Sequence, residues 1–319
     1  MSLDTRISLK KLELFCLVAD LGSIKEAAER LYVTQPVVTA HIRSLNERLG
    51  VELLYRDGNR MRLTESGTIV YRWASELLMR TRDLEQQLSR SNDGLRGSAR
   101  IASSMTVGSY LLPPVVSAFK IERPDVHIAV SVSAPEQAVQ EIDSGETDFG
   151  VVIADDDLEL APDVERELLG HEQLVLVAAP NSAYAAEDEV LADELAEMAF
   201  VSSPRDQMRQ RLVDRFFREM GLGGPDLVLE FGHAEAMKGA LRAGVGVGYL
   251  FRSSVAEALE LGHLREIRVT GHEFSAPILL LHRKRRELSR VQMDLIAAIR
   301  RAIKDRDALP DRLDLPAGA

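Results

Sequence analysis

The chain has 319 residues, 39 basic and 50 acidic side chains, a net charge of −11 and a single cysteine. One cysteine excludes an internal disulfide framework and any multi-cysteine metal cluster, and apolar runs such as 149–154 and 278–281 fall far short of the roughly 20 residues that cross a bilayer. The N-terminal stretch lacks the succession of an export signal, so the expectation is a cytoplasmic protein of two or more domains with no membrane partner. Residues 1–97 hold 15 basic and 13 acidic groups, or +2, whereas residues 98–319 hold 24 and 37, or −13. Such asymmetry can mark a nucleic-acid-facing module in a chain whose total charge is acidic.

In chain order, Leu9, Leu12, Cys16 and Ala19 recur at helical spacing, and Gly22 is placed to end that helix. Ser23 and Glu26 fit a capping box opening a short second helix with Ala27, Ala28 and Leu31 on it. Thr34 is the expected cap of a third helix, with Gln35 and Pro36 in its first turn and Leu49 at its end. Val38, Ile42, Leu45 and Leu49 form a stripe to be buried. Gln35, Thr39 and Arg43, at i, i+4 and i+8, place an amide, a hydroxyl and a guanidinium in a row on the opposite side, the groups that hydrogen-bond base edges and phosphates. Asp57-Gly58-Asn59 predicts a hairpin, read as a wing, whose Arg56, Arg60 and Arg62 suit phosphates or a minor groove; a solvated surface hairpin is the plainer alternative. From Thr64 a long helix runs to about residue 91. Its Val70, Leu77 and Leu84, with Ala74, Thr81 and Leu88 between them, make an a/d seam suited to a second copy of the helix, packing on its own domain being the plainer alternative.

Residues 92–98 read as a glycine-bearing hinge. Beyond them, strands at 99–103, 126–132, 149–154, 174–178, 200–201, 227–231 and 246–250 alternate with helices at 107–120, 137–143, 206–220 and 234–243, which predicts α/β units with a mainly parallel sheet. The strand 278–281 and the helix 291–303 are expected to return and complete the first unit, and the tail 305–319 to be disordered.

Loops at strand ends and helix N-termini are where α/β units hold ligands. Ser103, Ser104 and Thr106 follow the first strand, at a place where free amides favour an anion, and Ser133 and Pro135 lie in the neighbouring loop. Ser202, Ser203, Arg205 and His233 fall at comparable turns of the second unit. Thr106 and His233 fit equally well as helix caps. A ligand held by these residues is expected to be small and anionic.

The ordered stretch from Leu12 to Gly67, especially Gly22-Ser23, Ala27-Ala28, Leu31, Thr34-Gln35-Pro36, Thr39, Ile42, Leu45, Leu49-Gly50 and Leu63-Thr64-Glu65-Ser66-Gly67, resembles the DNA-binding domain of LysR-type transcriptional regulators. Leu111-Leu112-Pro113, Phe119, Pro124, Val126, Gly145, Asp148 and Gly244-Val245-Gly246-Val247-Gly248 resemble the family's effector domain, so the resemblance covers nearly the whole chain. The chain departs at Val37 and Ala40, where members commonly carry a small residue and a longer polar one. The resemblance implies a winged helix-turn-helix over 1–65, a dimerising linker helix over 66–91 and a hinge over 92–98. Two lobes of periplasmic-binding-protein type would follow over 99–304, lobe I about 99–163 and 270–304, lobe II about 164–269. It further implies a tetramer on dyad sites in double-stranded DNA, work with RNA polymerase, and Ser23, Thr34, Gln35, Pro36, Thr39, Arg43, Arg56, Arg60 and Arg62 at the DNA. The run from Ser104 to Pro113 loosely resembles the branch regulating carbon dioxide fixation and sulfur assimilation, which suits an anion.

An enzyme, an exported solute-binding protein and an effector-independent DNA binder are the rival readings. The sequence has no Gly-x-Ser-x-Gly, no Gly-x-x-x-x-Gly-Lys and no His-Glu-x-x-His, so no catalytic residue, metal or cofactor is expected. Gly244, Gly246 and Gly248 occur going from helix into strand, the reverse of the dinucleotide arrangement. Cys16 sits on an apolar helix face, and His171-Glu172 reads as a surface pair.

Overall fold

The computed structural model describes residues 7–58, 60–89, 97–155, 157–284 and 286–307. The chain forms two compact units, one of Met1–Gly97 with Asp143–Glu146 and one of Ser98–Ile142 with Thr147–Ala319.

In the first unit α1 (Leu9–Leu21) stops where Gly22 turns left-handed at φ 63° and donates its N–H to Val18 O. Helix α2 (Ile24–Arg30) is capped by Ser23, whose Oγ accepts from Glu26 N at 3.2 Å. Between α2 and α3 (Gln35–Leu49) the turn is sharp enough to hold Tyr32 at φ 52°, with its ring 98 % exposed. Val33 N closes the turn onto Ala28 O at 3.0 Å. The Thr34 side chain makes no capping bond, contrary to expectation; Pro36, with no N–H to satisfy, already starts the helix. Val38, Ile42 and Leu45 are buried with Leu12, Leu14, Phe15, Val18, Ala27, Ala28 and Leu53. Leu9 is exposed, so the buried face of α1 is set by Leu14, Phe15 and Val18 beside Leu12 and Cys16.

The strands β1 (Leu54–Asp57) and β2 (Arg60–Leu63) pair in the register Leu54↔Leu63 to Asp57↔Arg60. Gly58 takes φ 58° at the tip, and Asn59 lies outside the described residues. Helix α4 (Glu65–Ser89) is capped by Thr64, whose Oγ1 accepts from Gly67 N at 2.9 Å. Its seam differs from expectation. Ala74 is fully buried, and Val70 and Leu77 pack against this unit's own core. The side chains of Leu84 and Leu88 lie outside the described residues. The early part of the a/d stripe is thus occupied by α1 of the same copy, because α4 lies alongside α1; Ile69 and Trp73 are left exposed.

In the second unit β3 (Gly97–Ser103) begins inside the stretch read as a hinge, whose residues 92–96 lie outside the described ones. A helical run starts at Met105, widens into a π segment over Val107–Leu111 and continues as α5 (Leu112–Glu122). There follow β4 (Val126–Val132), α6 (Pro135–Ser144), β5 (Phe149–Ile153), the long β6 (Val164–Ala178), β7 (Glu189–Val190), β8 (Ala199–Ser202), α7 (Met208–Glu219), β9 (Asp226–Glu230), α8 (Ala234–Arg242), β10 (Val247–Phe251), α9 (Arg252–Glu260), β11 (Arg265–Val269), β12 (Phe274–Arg283) and α10 (Arg290–Asp307).

The strand order is β4-β3-β5-β12-β6-β10-β8-β9, with β11 on β6 and β7 on β11. Pairs within each lobe, β3 with β5 and β8 with β9 and β10, are parallel. The centre is not: β12 runs antiparallel to β5 and β6, and β10 antiparallel to β6. The sheet is therefore mixed rather than mainly parallel, because two long strands pass between the lobes and return. The pairing of β12 with β6 shifts register between Ile278 and Leu279. Helix α10 packs on α5 and extends through Asp305 to Asp307, beyond the predicted start of a disordered tail; residues 308–319 lie outside the described ones. Glu172 is fully buried, not a surface partner of His171: it accepts from Ser253 N at 2.8 Å and pairs with Arg306.

Candidate DNA interface and effector cleft

The buried stripe of α3 fixes what the opposite side presents. Gln35, Pro36, Thr39 and Arg43 are all exposed, and no acidic residue stands in the first turn to offset the helix's positive end. Arg43 is held along the helix by Glu47, Nε to Oε1 2.9 Å, one turn on. Thr34 is exposed with its hydroxyl uncommitted to the cap, whereas the Ser23 hydroxyl is committed to α2. The wing is tied down by Met61 N donating to Gly22 O at 2.8 Å. Directly paired residues share a face of a hairpin, so Arg60 and Arg62 stand on one side with Tyr55 and Asp57, and Arg56 stands on the other, opposite Met61. The three arginines do not form one cluster, although each is exposed. Arg62 Nε pairs with Asp57 Oδ2 at 2.7 Å, and Arg56 Nε donates to Gly58 O at 3.3 Å.

In the second unit the predicted cleft residues differ in how far their groups are committed. Ser103 is fully buried and its Oγ donates to Ser131 O at 2.8 Å; Ser202 Oγ donates to Gln210 Oε1. Both hydroxyls are spent on the protein itself. Ser104 Oγ accepts from Ile153 N at 2.9 Å and keeps its own proton for another partner. Thr106 lies in the first turn of the helical run, makes no capping bond and is largely buried. Ser133 Oγ is buried without any hydrogen-bond partner, beside Pro135 at the start of α6. On the second lobe Ser203 is fully buried, Arg205 is exposed on its loop, and His233 Nδ1 accepts from Glu235 N at 3.2 Å, capping α8.

Side chains outside the predicted set join the lobes. The hydroxyl of Tyr110, on the π segment of lobe I, donates to Glu235 Oε1 at 2.6 Å on α8 of lobe II. Lys238 Nζ meets the same carboxylate at 2.6 Å, donates to Ser254 O at 2.8 Å and lies 5.5 Å from the centre of the Tyr110 ring. Partial burial works to raise the Glu235 pKa, but the bonds from Lys238 and Tyr110 and the charges of Lys238 and His233 outweigh it and hold the carboxyl below its usual range. Arg211 of α7 makes a second clasp, Nε to Asp155 Oδ2 3.2 Å and Nη2 to Glu136 Oε1 3.0 Å. Behind the Tyr110 contact lies Arg209, only 9 % exposed, with Nε and Nη2 donating to Ser203 Oγ at 2.8 and 2.5 Å and Nη2 reaching Met237 Sδ at 2.9 Å. Burial pulls its pKa down to about 10, against a smaller opposing effect of Tyr110, so it is still charged at neutral pH.

Residues 9–68 match the family described as bacterial regulatory helix-turn-helix protein, lysR family, and residues 92–304 match the LysR substrate binding domain. The chain belongs to the LysR family of bacterial transcriptional regulators. It is 29% identical over 287 residues to the HTH-type transcriptional regulator YeiE of Escherichia coli (strain K12), covering 89% of this chain and 94% of that one. It is 26% identical over 268 residues to a probable RuBisCO transcriptional regulator of Cyanidioschyzon merolae (strain NIES-3377 / 10D), covering 83% and 88%. The fold is that of CbnR, a LysR family transcriptional regulator, with a TM-score of 0.64, 20% identity and coverage of 94% and 100%. ArgP from Mycobacterium tuberculosis superposes with a TM-score of 0.65 at 22% identity, covering 93% of this chain and 98% of that one.

This LysR regulator therefore pairs a DNA-binding module with a substrate-binding module. Arg209, Glu235, Lys238 and Arg211 carry no signal in the sequence. Each sits on a helix of ordinary pattern, and only tertiary structure brings them together. Arg205, the arginine favoured by the sequence, lies four residues before the buried one. No helix among the described residues is long and apolar enough to cross a membrane.

Proposed function

We propose that two copies of this LysR regulator read a dyad site in double-stranded DNA through α3 and the wing, and that a small anion bound between the lobes of the second unit controls the outcome. The observation that carries the DNA reading is the exposed row Gln35, Thr39 and Arg43 over the buried stripe Val38, Ile42 and Leu45. It supplies the donors and acceptors of base readout at the positive end of a helix. Arg60 and Arg62 on one face of the wing, and Arg56 on the other, serve the flanking backbone.

For the effector we assign Ser104, Thr106, Ser133 and Ser203 to the ligand, with Ser103, Ser202 and Pro135 shaping the floor and His233 and Arg205 at the rim. Self-association through α4 uses the face of Ile69 and Trp73, which is exposed, rather than the Val70, Ala74 and Leu77 side. Pairing of dimers into a tetramer, work beside RNA polymerase, and residence in the cytoplasm with the DNA complete the reading; the protein acts without catalysis.

The test is a mobility-shift titration on the DNA flanking its own gene. The expected result is a discrete complex at low salt that is lost in Thr39→Ala with Arg43→Ala. No complex with the unaltered protein at low salt would overturn the reading.

A further inference from the structure

Arg209 stands where a cation is least at ease. It is nine-tenths buried, and an uncompensated charge in that setting is destabilising unless something pairs with it. It lies in the first turn of α7, a 12-residue helix with no acidic residue in that turn, so the positive end of the helix dipole adds to its own charge. No described carboxylate pairs with it. Its fork makes two bonds to one hydroxyl, Ser203 Oγ, and one to a thioether, a weak acceptor, while Nη1 has no partner among the described residues. Two other cations of α7 and α8 are satisfied: Arg211 by Asp155 and Glu136, Lys238 by Glu235. On lobe I, Ser133 keeps a buried hydroxyl without a partner, and Tyr110 reaches α8, donating to Glu235 Oε1 at 2.6 Å.

Resting on the effector reading above, we propose that Arg209 is the charge partner of the bound effector. The guanidinium fork then takes two oxygens of a small oxyanion, a carboxylate or a tetrahedral sulfur or phosphorus oxyanion, with Ser203 beside it. The planar fork matches paired oxygens, a compact ammonium does not, and the ligand supplies the negative charge that the protein itself leaves out. A neutral sugar or an aromatic without an acid group would leave the guanidinium as it is. Arg209 is thus a specificity-determining residue, and the ligand completes an electrostatic arrangement that is unbalanced without it.

The full chain is titrated with sodium sulfate, sodium phosphate and sodium malonate, each in the low millimolar range against sodium chloride of equal ionic strength, with the melting temperature and heat of binding as readouts. Saturation at these concentrations separates binding from the general stabilisation that sulfate and phosphate give at high concentration. In the wild type at least one anion raises the melting temperature saturably, and which one does so separates carboxylates from inorganic oxyanions. Arg209→Met removes that rise while leaving the ligand-free melting temperature unchanged or higher, and Arg209→Lys weakens binding by roughly 10- to 100-fold. An equal response in wild type and Arg209→Met overturns the assignment of Arg209 and leaves the anionic-effector reading standing. No saturable response of the wild type to any of the three anions overturns both. If Arg209→Met does not fold, Arg209→Lys decides, and unchanged affinity there overturns the assignment.

Discussion

Tyr249 shows how much a single polar atom says about its surroundings. Its ring sits in the aromatic cluster of lobe II, 6.2 Å from Phe200 and 5.6 Å from Phe274 between centroids, and its hydroxyl is buried with no hydrogen-bond partner. Burial alone pushes its pKa up. An unsatisfied buried hydroxyl costs about 1–3 kcal/mol, so Tyr249→Phe removes the cost and keeps the ring contacts. We expect the variant to gain about 1 kcal/mol in urea unfolding of the effector module; a loss of similar size would mean that the hydroxyl has a partner. The same accounting applied to Arg209 yields the opposite conclusion about purpose. Tyr249 lies in packed aromatic core, whereas Arg209 opens α7 with only a hydroxyl and a thioether to bond. The two residues together show why polar groups on ordinary helices and strands were not legible in the sequence. What sets Arg209 apart is that no carboxylate among the described residues pairs with it, and such an absence is fixed only by the residues that other elements bring near.

At the scale of elements, Gly67 joins three of them. A Cβ at this position would lie inside the van der Waals envelope of Leu53 O, just before β1, and close to Thr64 Oγ1, which caps α4. Thr64 in turn donates to Glu52 O at 2.7 Å and its N–H to Leu53 O at 3.0 Å, so one tight junction sets the wing against the long helix. Gly67→Ala should therefore cost the DNA-binding module about 1–3 kcal/mol, the range for overpacking a close contact. The measurement is the melting temperature of the module's transition, and an unchanged value would show that the junction has slack. Much of this module was legible beforehand, because periodicity, glycine stops and the Ser23 cap all act within a few residues. The α4 seam was legible as apolar but not as to partner: Val70, Ala74 and Leu77 have the same spacing whether α1 or a second copy covers them. In the effector module α9 escaped notice because it follows β10 at Phe251 without a breaker. The central antiparallel strands escaped because polarity along residues 164–169 hides half of β6, where Arg166 and Leu168 are exposed and Val164 is buried.

For the whole molecule, a net charge of −11 decides nothing about DNA. Screening confines an exposed charge to about 8 Å at physiological ionic strength, so affinity follows the cations that touch the duplex rather than the total. Those cations are not equivalent. Arg62 is already paired with Asp57 and Arg43 with Glu47, so part of what each gains at a phosphate is lost from its present partner. Arg60 has no such pairing among the described residues and shares the face of Arg62 on the wing. Each phosphate contact removed lowers the slope of log affinity against log salt by about 0.9, and a dimer carries each arginine twice. Arg60→Ala should thus lower the slope by about 2 and weaken binding to specific and unrelated DNA alike. Thr39→Ala, which removes a hydroxyl from the row proposed to read base edges and no charge, should leave the slope unchanged and weaken binding to the specific site alone. Fluorescence anisotropy titrations from low to physiological salt separate the two. A slope unmoved by Arg60→Ala would take Arg60 off the phosphates.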